Sequence, residues 1–436
     1  MPLKTSLKQL WSESKVNPAF TALYISGVTF AVTFTLLYSM LFYSQIAPVY
    51  PEYNRDATLT ISSIECSNES RMTTKQRMIS PLFAKDHLSQ LKNCQLFTLT
   101  NMNIPVYVQR TDGRPDMRMV FAEIDKNFFS LYDYDFVAGE PFAAADFESD
   151  LPVAIITDGV AKTLFGNAED AVGRDISIQY VRHRIRGVVR EGSSINSTSF
   201  SQIFSPIPQK KYAGYEDANM TDYLGSYTIT MKATDPGRIN DLKEEINDIV
   251  RRINSADKDG WQMRIMTMVS TIEQAFGYTG YNSDSFFDRL RPFLLILLVL
   301  LVIPAINISG MIGAQMNKRM TEIGLRRSFG ARRSSLCGQV MFENLVLTLV
   351  GGALGLILAW MILTLFQNQI FGLLSDTELT AVRQIAPPRV TADMLFAPAI
   401  FIGTIIICLI LNIISAYIPV RLALRRPIVS SLNQKR

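Results

Sequence analysis

The sequence predicts an α-helical membrane protein with four transmembrane helices, one before and three after a large folded α+β domain. Three observations predict it. Of the 436 residues, 48% are hydrophobic and only 19% charged, with a mean hydropathy of +0.15, a balance too apolar for an ordinary soluble chain. Residues 20–46, 293–314, 340–366 and 395–420 each reach the length of about 20 apolar residues that a bilayer crossing needs. Between the first and second of these runs, residues 48–291 carry the mixed periodicities of a globular domain.

The first span contains only apolar, Gly, Ser, Thr, Tyr and Gln side chains and has no cleavage site of small residues after it. It is expected to stay as an anchor. Ahead of it, Leu3, Leu7, Leu10 and Trp11 recur at helical spacing with Lys4, Lys8 and Glu13 between them, predicting an amphipathic helix over residues 1–18 that ends near Asn17-Pro18. Such a helix either lies in the headgroups or offers a contact to a cytoplasmic partner.

Orientation follows from the basic residues. Lys4, Lys8 and Lys15 precede the first span, Lys318, Arg319, Arg326, Arg327, Arg332 and Arg333 lie between the second and third, and Arg421, Arg425, Arg426, Lys435 and Arg436 follow the fourth. Positively charged flanks stay in the cytoplasm, which puts both termini inside and residues 48–291 and 367–394 outside. The expected order is therefore an N-terminal helix (1–18), a span (19–47), the outer domain (48–291), a span (292–314) and a cytoplasmic loop (315–339). A third span (340–366), a short outer loop (367–394), a fourth span (395–420) and a cytoplasmic tail (421–436) complete it.

The spans hold no Asp, Lys or Arg at depth, and Glu343 lies near the cytoplasmic mouth of the third, which argues against an ion-driven carrier. Asn307 and Asn412 are expected to hydrogen-bond between helices, and Gly351, Gly352 and Gly355 to permit close helix approach within the chain or across a dimer.

In the outer domain, Val106-Tyr107-Val108 and residues 117–121 read as strands with Thr111-Asp112-Gly113 as the turn between them. Residues 226–233 alternate like a strand, Asp235-Pro236 offers a helix start, and Ile239, Leu242, Ile246, Ile249, Val250 and Ile253 mark a buried helical face before a strand over 261–268. That order is one unit of helices packed on a sheet.

Several chemistries have no residues to carry them. A net charge of +4 with no dedicated basic domain does not suit nucleic-acid binding. The chain has no G-x-x-x-x-G-K-[ST] loop and is not expected to hydrolyse ATP itself; nor does it show a G-x-S-x-G or other nucleophile signature, so no catalytic role is expected. His87 and His183 are far apart and without ligand spacing, so no metal or cofactor site is expected in the chain. Of the four cysteines, Cys337 and Cys408 fall at or in the apolar segments and act as small apolar groups. An oxidising compartment would allow Cys66 and Cys94 to pair, provided their Cα atoms come within roughly 7 Å.

The loop after the second span is the most informative stretch. Glu322-Ile323-Gly324-Leu325-Arg326-Arg327-Ser328-Phe329-Gly330-Ala331 threads apolar residues among its charges and leads to Gln339 and Glu343. It resembles the E-I-G-x-R-R-A-x-G-A signature of MacB/FtsX-type ABC-transporter permeases, with Ser328 where Ala is usual. A second resemblance, to the MacB-type periplasmic domain, rests on Asn127-Phe128-Phe129-Ser130, Phe136-Val137-Ala138-Gly139-Glu140-Pro141-Phe142, residues 153–165, Val172-Gly173-Arg174 and Ile185-Arg186-Gly187-Val188-Val189.

The resemblance implies an inner-membrane permease working as a homo- or heterodimer, with a large periplasmic domain and a separate ABC ATPase that binds ATP and Mg. It implies a coupling helix in the loop, where Glu322, Gly324, Arg326, Arg327, Gly330 and Ala331 would sit at the ATPase groove. Ile323, Leu325 and Phe329 would fill that groove while the arginines pair with its acidic rim; alternatively the arginines hold the loop at anionic headgroups. A periplasmic adaptor or outer-membrane partner is a further expectation. A lipoprotein-releasing permease, and from another class a membrane-anchored sensor or scaffold, are the competing readings.

Overall fold

The computed structural model describes residues 15–110, 116–195, 198–212, 220–278, 285–372, 385–386 and 398–425. The amphipathic stripe at Leu3 to Trp11, the turn at Thr111-Asp112-Gly113 and most of the tail after the fourth span lie outside them. Helices of nine residues or more among the described residues are α1 (Pro18–Ile46), α2 (Ile239–Ala256), α3 (Phe286–Lys318), α4 (Met320–Ser328), α5 (Arg333–Leu365) and α6 (Pro398–Arg425). Of these, α1, α3, α5 and α6 are long and apolar enough to cross a membrane. They outrun the apolar stretches because helical hydrogen bonding continues into the polar flanks.

The helices form one compact unit, residues 1–41, 290–366 and 395–436. Its core gathers Tyr24, Val28, Val32 and Leu36 of α1, Ile308, Ile312 and Met316 of α3, Leu336, Val340 and Leu347 of α5, and Ala416, Val420 and Leu424 of α6. Lipid gives apolar helices no hydrophobic reason to associate, so close packing and hydrogen bonds must hold them. The α1–α5 crossing supplies both. A Cβ on Gly351 would stand 2.8 Å from Val28 Cβ, and one on Gly355 2.8 Å from the Thr29 carbonyl oxygen, so only glycine admits this approach. It lets Thr29 Oγ1 donate to Gly351 O at 3.1 Å and Thr33 Oγ1 to Gly355 O at 3.1 Å, while Tyr24 Oη bonds Thr348 Oγ1 at 3.0 Å. Asn412 on α6 reaches the same Thr348 hydroxyl at 3.5 Å. Asn307 departs from expectation: it stands exposed on α3, on the side away from the buried stripe of Ala305, Ile308 and Ile312, and bonds no other helix among the described residues.

The second unit, residues 42–289 and 367–394, is built on a sheet of twelve strands among the described residues. These are β1 (Thr58–Asn68), β2 (Thr73–Ile79), β3 (Cys94–Arg110), β4 (Met117–Ile124), β5 (Phe136–Gly139), β6 (Val153–Thr157), β7 (Asp175–Ile178), β8 (Val181–Val189), β9 (Ile203–Pro206), β10 (Leu224–Gly225), β11 (Thr228–Ala233) and β12 (Trp261–Ser270). The order is β10-β2-β1-β11-β3-β4-β9-β6-β8-β5, with β12 also on β1 and β7 on β3 and β8.

Antiparallel pairs hold β11 and β12 to β1, so the β11-α2-β12 unit straddles that strand. Asp235 accepts from Gly237 N at 2.8 Å to open the turn into α2, whose Leu242, Ile246, Ile249 and Val250 are buried. The predicted hairpin is present, with Val108 opposite Met117. The three largest cores of the domain among the described residues are one under α2 with Leu59, Ile61, Phe83 and Tyr227, one around Val106, Ile156, Val160 and Val188, and an aromatic one around Phe128, Tyr134 and Phe204.

Cys66 and Cys94 are both free, contrary to the pairing their compartment would allow. Strand β11 lies between β1 and β3, a lateral separation of about 9.6 Å at ~4.8 Å per strand step. Thr58 and Cys94 face neighbouring β11 residues, Lys232 and Ala233, so Cys66 lies eight residues, about 27 Å, further along β1. Burial pushes the two thiols up to about 12 and about 11. His87 likewise serves packing, with Nε2 2.9 Å from Tyr223 Oη.

Replacing Gly355 with Leu should cost about 1–3 kcal/mol through overpacking at the α1 contact, seen as a lower melting temperature of the detergent-solubilised chain. Gly352→Ala, which meets open space, should leave the melting temperature unchanged.

Candidate coupling site

The basic hairpin folds as a short helix with a defined stop. Arg319 interrupts the helical run after Lys318, α4 follows, and Ala331 N donates to Arg326 O at 3.1 Å while Gly330 N donates to Arg327 O at 3.1 Å. This pair of bonds is the Schellman closure, which needs a left-handed residue before the chain leaves. Gly330 supplies it with φ +88°.

The hairpin's charges are tied to the bundle. Arg319 Nη1 pairs with Glu343 Oε2 at 2.9 Å, with both side chains largely shielded from solvent. Gln339 Nε2 donates to Glu343 Oε1 at 3.2 Å, and its own Oε1 accepts from Arg326 Nη1 at 3.3 Å. Arg326 Nη2 also holds Glu322 Oε1 at 2.6 Å. A continuous polar chain thus runs Glu322-Arg326-Gln339-Glu343-Arg319 from α4 into α5. Arg327 Nη1 donates to Leu424 O at 3.3 Å, placing a cation at the last turn of α6, where orphan carbonyls and the helix dipole favour one.

The apolar residues of the hairpin divide into two sets. Ile323 is buried in the bundle core with Met316, Met320, Leu336 and Leu424, whereas Leu325 is 52% and Phe329 84% exposed.

A second joint lies at the other end of α1, and nothing in the pattern of the sequence announced it. Arg55 is 4% exposed, and its Nη1 donates to the carbonyls of Ser44, Gln45 and Ala47 at 3.1, 2.9 and 3.2 Å. Its Nε bonds Glu52 Oε2 at 2.6 Å, and Glu52 Oε1 accepts from Thr198 Oγ1 at 2.8 Å. The unpaired carbonyls that end α1 are therefore held by a buried guanidinium locked to the outer domain.

Residues 21–249 match the MacB-like periplasmic core domain and residues 294–428 the FtsX-like permease C-terminal. The chain belongs to the MacB/FtsX family of ABC-transporter permeases. Among relatives, it is 25% identical over 250 residues to the pyoverdine export ATP-binding/permease protein PvdT of Pseudomonas savastanoi pv. phaseolicola, covering 57% of this chain and 36% of that protein. It is 24% identical over 272 residues to the macrolide export ATP-binding/permease protein MacB of Salmonella paratyphi A, covering 62% of this chain and 39% of that protein. It thus spans under two fifths of the length of either relative. The periplasmic region of MacB from Actinobacillus actinomycetemcomitans covers 51% of this chain and 94% of its own, at 17% identity and a TM-score of 0.34.

Within this family signature, the structure separates residues that the sequence grouped together. Ile323 does not join Leu325 and Phe329 on an outer surface; it packs inward because α4 lies against α5 and α6. Arg326 and Arg327 each bond within the chain, to Gln339 and to the Leu424 carbonyl. Arg319 and Gln339 complete the cluster, and the signal for it was Glu343, a carboxylate almost three turns into α5 that had to find a partner.

Truncating one member of a buried pair leaves the other uncompensated. Glu343→Ala should therefore destabilise the detergent-solubilised chain by about 3 kcal/mol, whereas changing Arg319 and Glu343 together to Met should cost less than either single truncation; thermal unfolding of the three variants checks this.

Proposed function

We propose that this chain is the permease subunit of an ABC export system, carrying the work of a cytoplasmic ATPase through α1 to the outer domain. The observation that carries this reading is the exposed pair Leu325 and Phe329, set on a helix that Ile323, Arg326 and Arg327 fasten to α5 and α6. A groove that receives these two side chains can push on the hairpin, and the polar chain to Glu343 passes the displacement into the span.

The ATPase is of the ABC class and binds ATP and Mg, and the permease works as a dimer in the inner membrane. The basic residues around α4 favour a cytoplasmic hairpin, with both termini on the same side and the outer domain in the periplasm. Transmission rather than conduction suits spans without ionisable groups at depth. At the far end of α1, Arg55 passes the movement to the sheet. Exported cargo would follow the family's envelope export roles, as the names of MacB and PvdT suggest.

Phe329→Asp and Leu325→Asp should each abolish co-purification of the ATPase with the permease while leaving the melting temperature unchanged, because both side chains are exposed. Undiminished co-purification with both changes present would refute the docking role.

Arg55→Ala should keep ATPase binding but remove the ATP-dependent change in distance between spin labels at Tyr180→Cys of two permease subunits. A change of normal size in that variant would show that the joint transmits nothing.

A further inference from the structure

The outer domain contains a cavity of about 420 Å³ lined by residues of two of its cores: Ala84, Leu99 and Ile207 from the core under α2, and Phe147 from beside the aromatic one. That volume falls in the range of small-molecule sites, which favour seams of this kind. Its walls combine the apolar Phe97, Leu99, Phe147 and Ile207 with polar side chains, of which Asp125, only 5% exposed, is the most deeply buried.

Asp125 Oδ1 is satisfied, accepting from Thr98 Oγ1 at 2.5 Å and from Asn127 N at 3.1 Å. Oδ2 has no hydrogen-bond partner among the described residues. A buried carboxylate with one free oxygen carries a large desolvation cost unless something donates to it. Two lysines of the lining, Lys85 and Lys126, are exposed and pair with no carboxylate among the described residues. They act through water, where a charge a few ångström away is worth only about 1 kcal/mol and salt screens it further. The carboxylate is shielded from bulk water, so its field is stronger.

We propose that this cavity is a binding site for a small apolar molecule bearing a protonated amine, with Asp125 Oδ2 accepting from the ammonium and Leu99, Phe147, Ile207 and Tyr212 enclosing the apolar body. The proposal does not depend on the role of the hairpin. Because the cavity joins two cores of one domain, an occupant would tie them together.

Burial pushes the Asp125 carboxyl up to about 6, against the hydrogen bonds with Thr98 and with the main chain of Leu99 and Asn127 and the nearby Lys126 charge. The charged form therefore prevails above that pH and is lost below it. The other titratable groups of the lining are Lys85, Lys126, Glu148 and Tyr212, and burial raises the Tyr212 phenol so that it stays neutral.

The test is isothermal titration of the full chain in neutral-lipid nanodiscs with tryptamine as probe, empty discs subtracted, and indole-3-acetate as the acid of matching size. Asp125→Asn keeps Oδ1 for Thr98 and Asn127 but turns the free acceptor into a donor. Ala144→Trp, at an exposed position of the lining, fills the cavity without touching the carboxylate and serves if the first variant fails to fold. Expected are tryptamine binding by the wild type at pH 8, at least tenfold weaker binding in each folded variant, weaker binding at pH 5, and none of indole-3-acetate. No tryptamine binding by the wild type, equal binding by wild type and Ala144→Trp, or equal affinity for the acid would each overturn the proposal.

Discussion

At the end of α1, Arg55 takes three main-chain carbonyls and a carboxylate at once. The end of a helix has free carbonyls that a soluble protein could leave to water. Here they meet a guanidinium that is itself almost wholly buried, with Glu52 neutralising it and Thr198 fixing Glu52. Such an arrangement is expensive to break, because any one group lost leaves another uncompensated in a low-dielectric place. The last turn of α1 and the chain around Arg55 are thus held together by buried polar bonds.

The hairpin follows the same physical logic by a different route. Its arginines bond within the chain, to Gln339, Glu343 and the Leu424 carbonyl, and Leu325 and Phe329 are the large apolar side chains it turns outward. A surface that presented arginines to a partner would be sensitive to salt; one that presents Leu325 and Phe329 on a stiff mount depends on shape and burial. The left-handed Gly330 matters here, since it closes the helix immediately after Phe329 and fixes where that ring stands.

Much of this architecture was legible in the sequence. Long apolar runs and flanking arginines define the four helices, because lipid tolerates so few alternatives. The β11-α2-β12 unit was legible from Asp235 and the period of Leu242 to Ile253, and the small-residue step at Gly351 and Gly355 from its spacing. What escaped depends on which strands and helices become neighbours. Periodicity could not say that Ile323 faces the bundle, that Asn307 faces away from it, or that β11 would come between Cys66 and Cys94. Arg55 was invisible for the same reason: an arginine in a loop reads as solvated until the chain folds back over it.

The strand that follows Arg55 has its own consequence. β1 starts at Thr58 and is gripped by β12 along one side and by β11 and β2 along the other. In an antiparallel ladder the hydrogen bonds stand across the strand axis. A pull arriving along β1 would therefore stress every rung together, in shear, instead of opening them singly like a zipper. The lobe it enters would yield little, behaving as a lever arm rather than a spring.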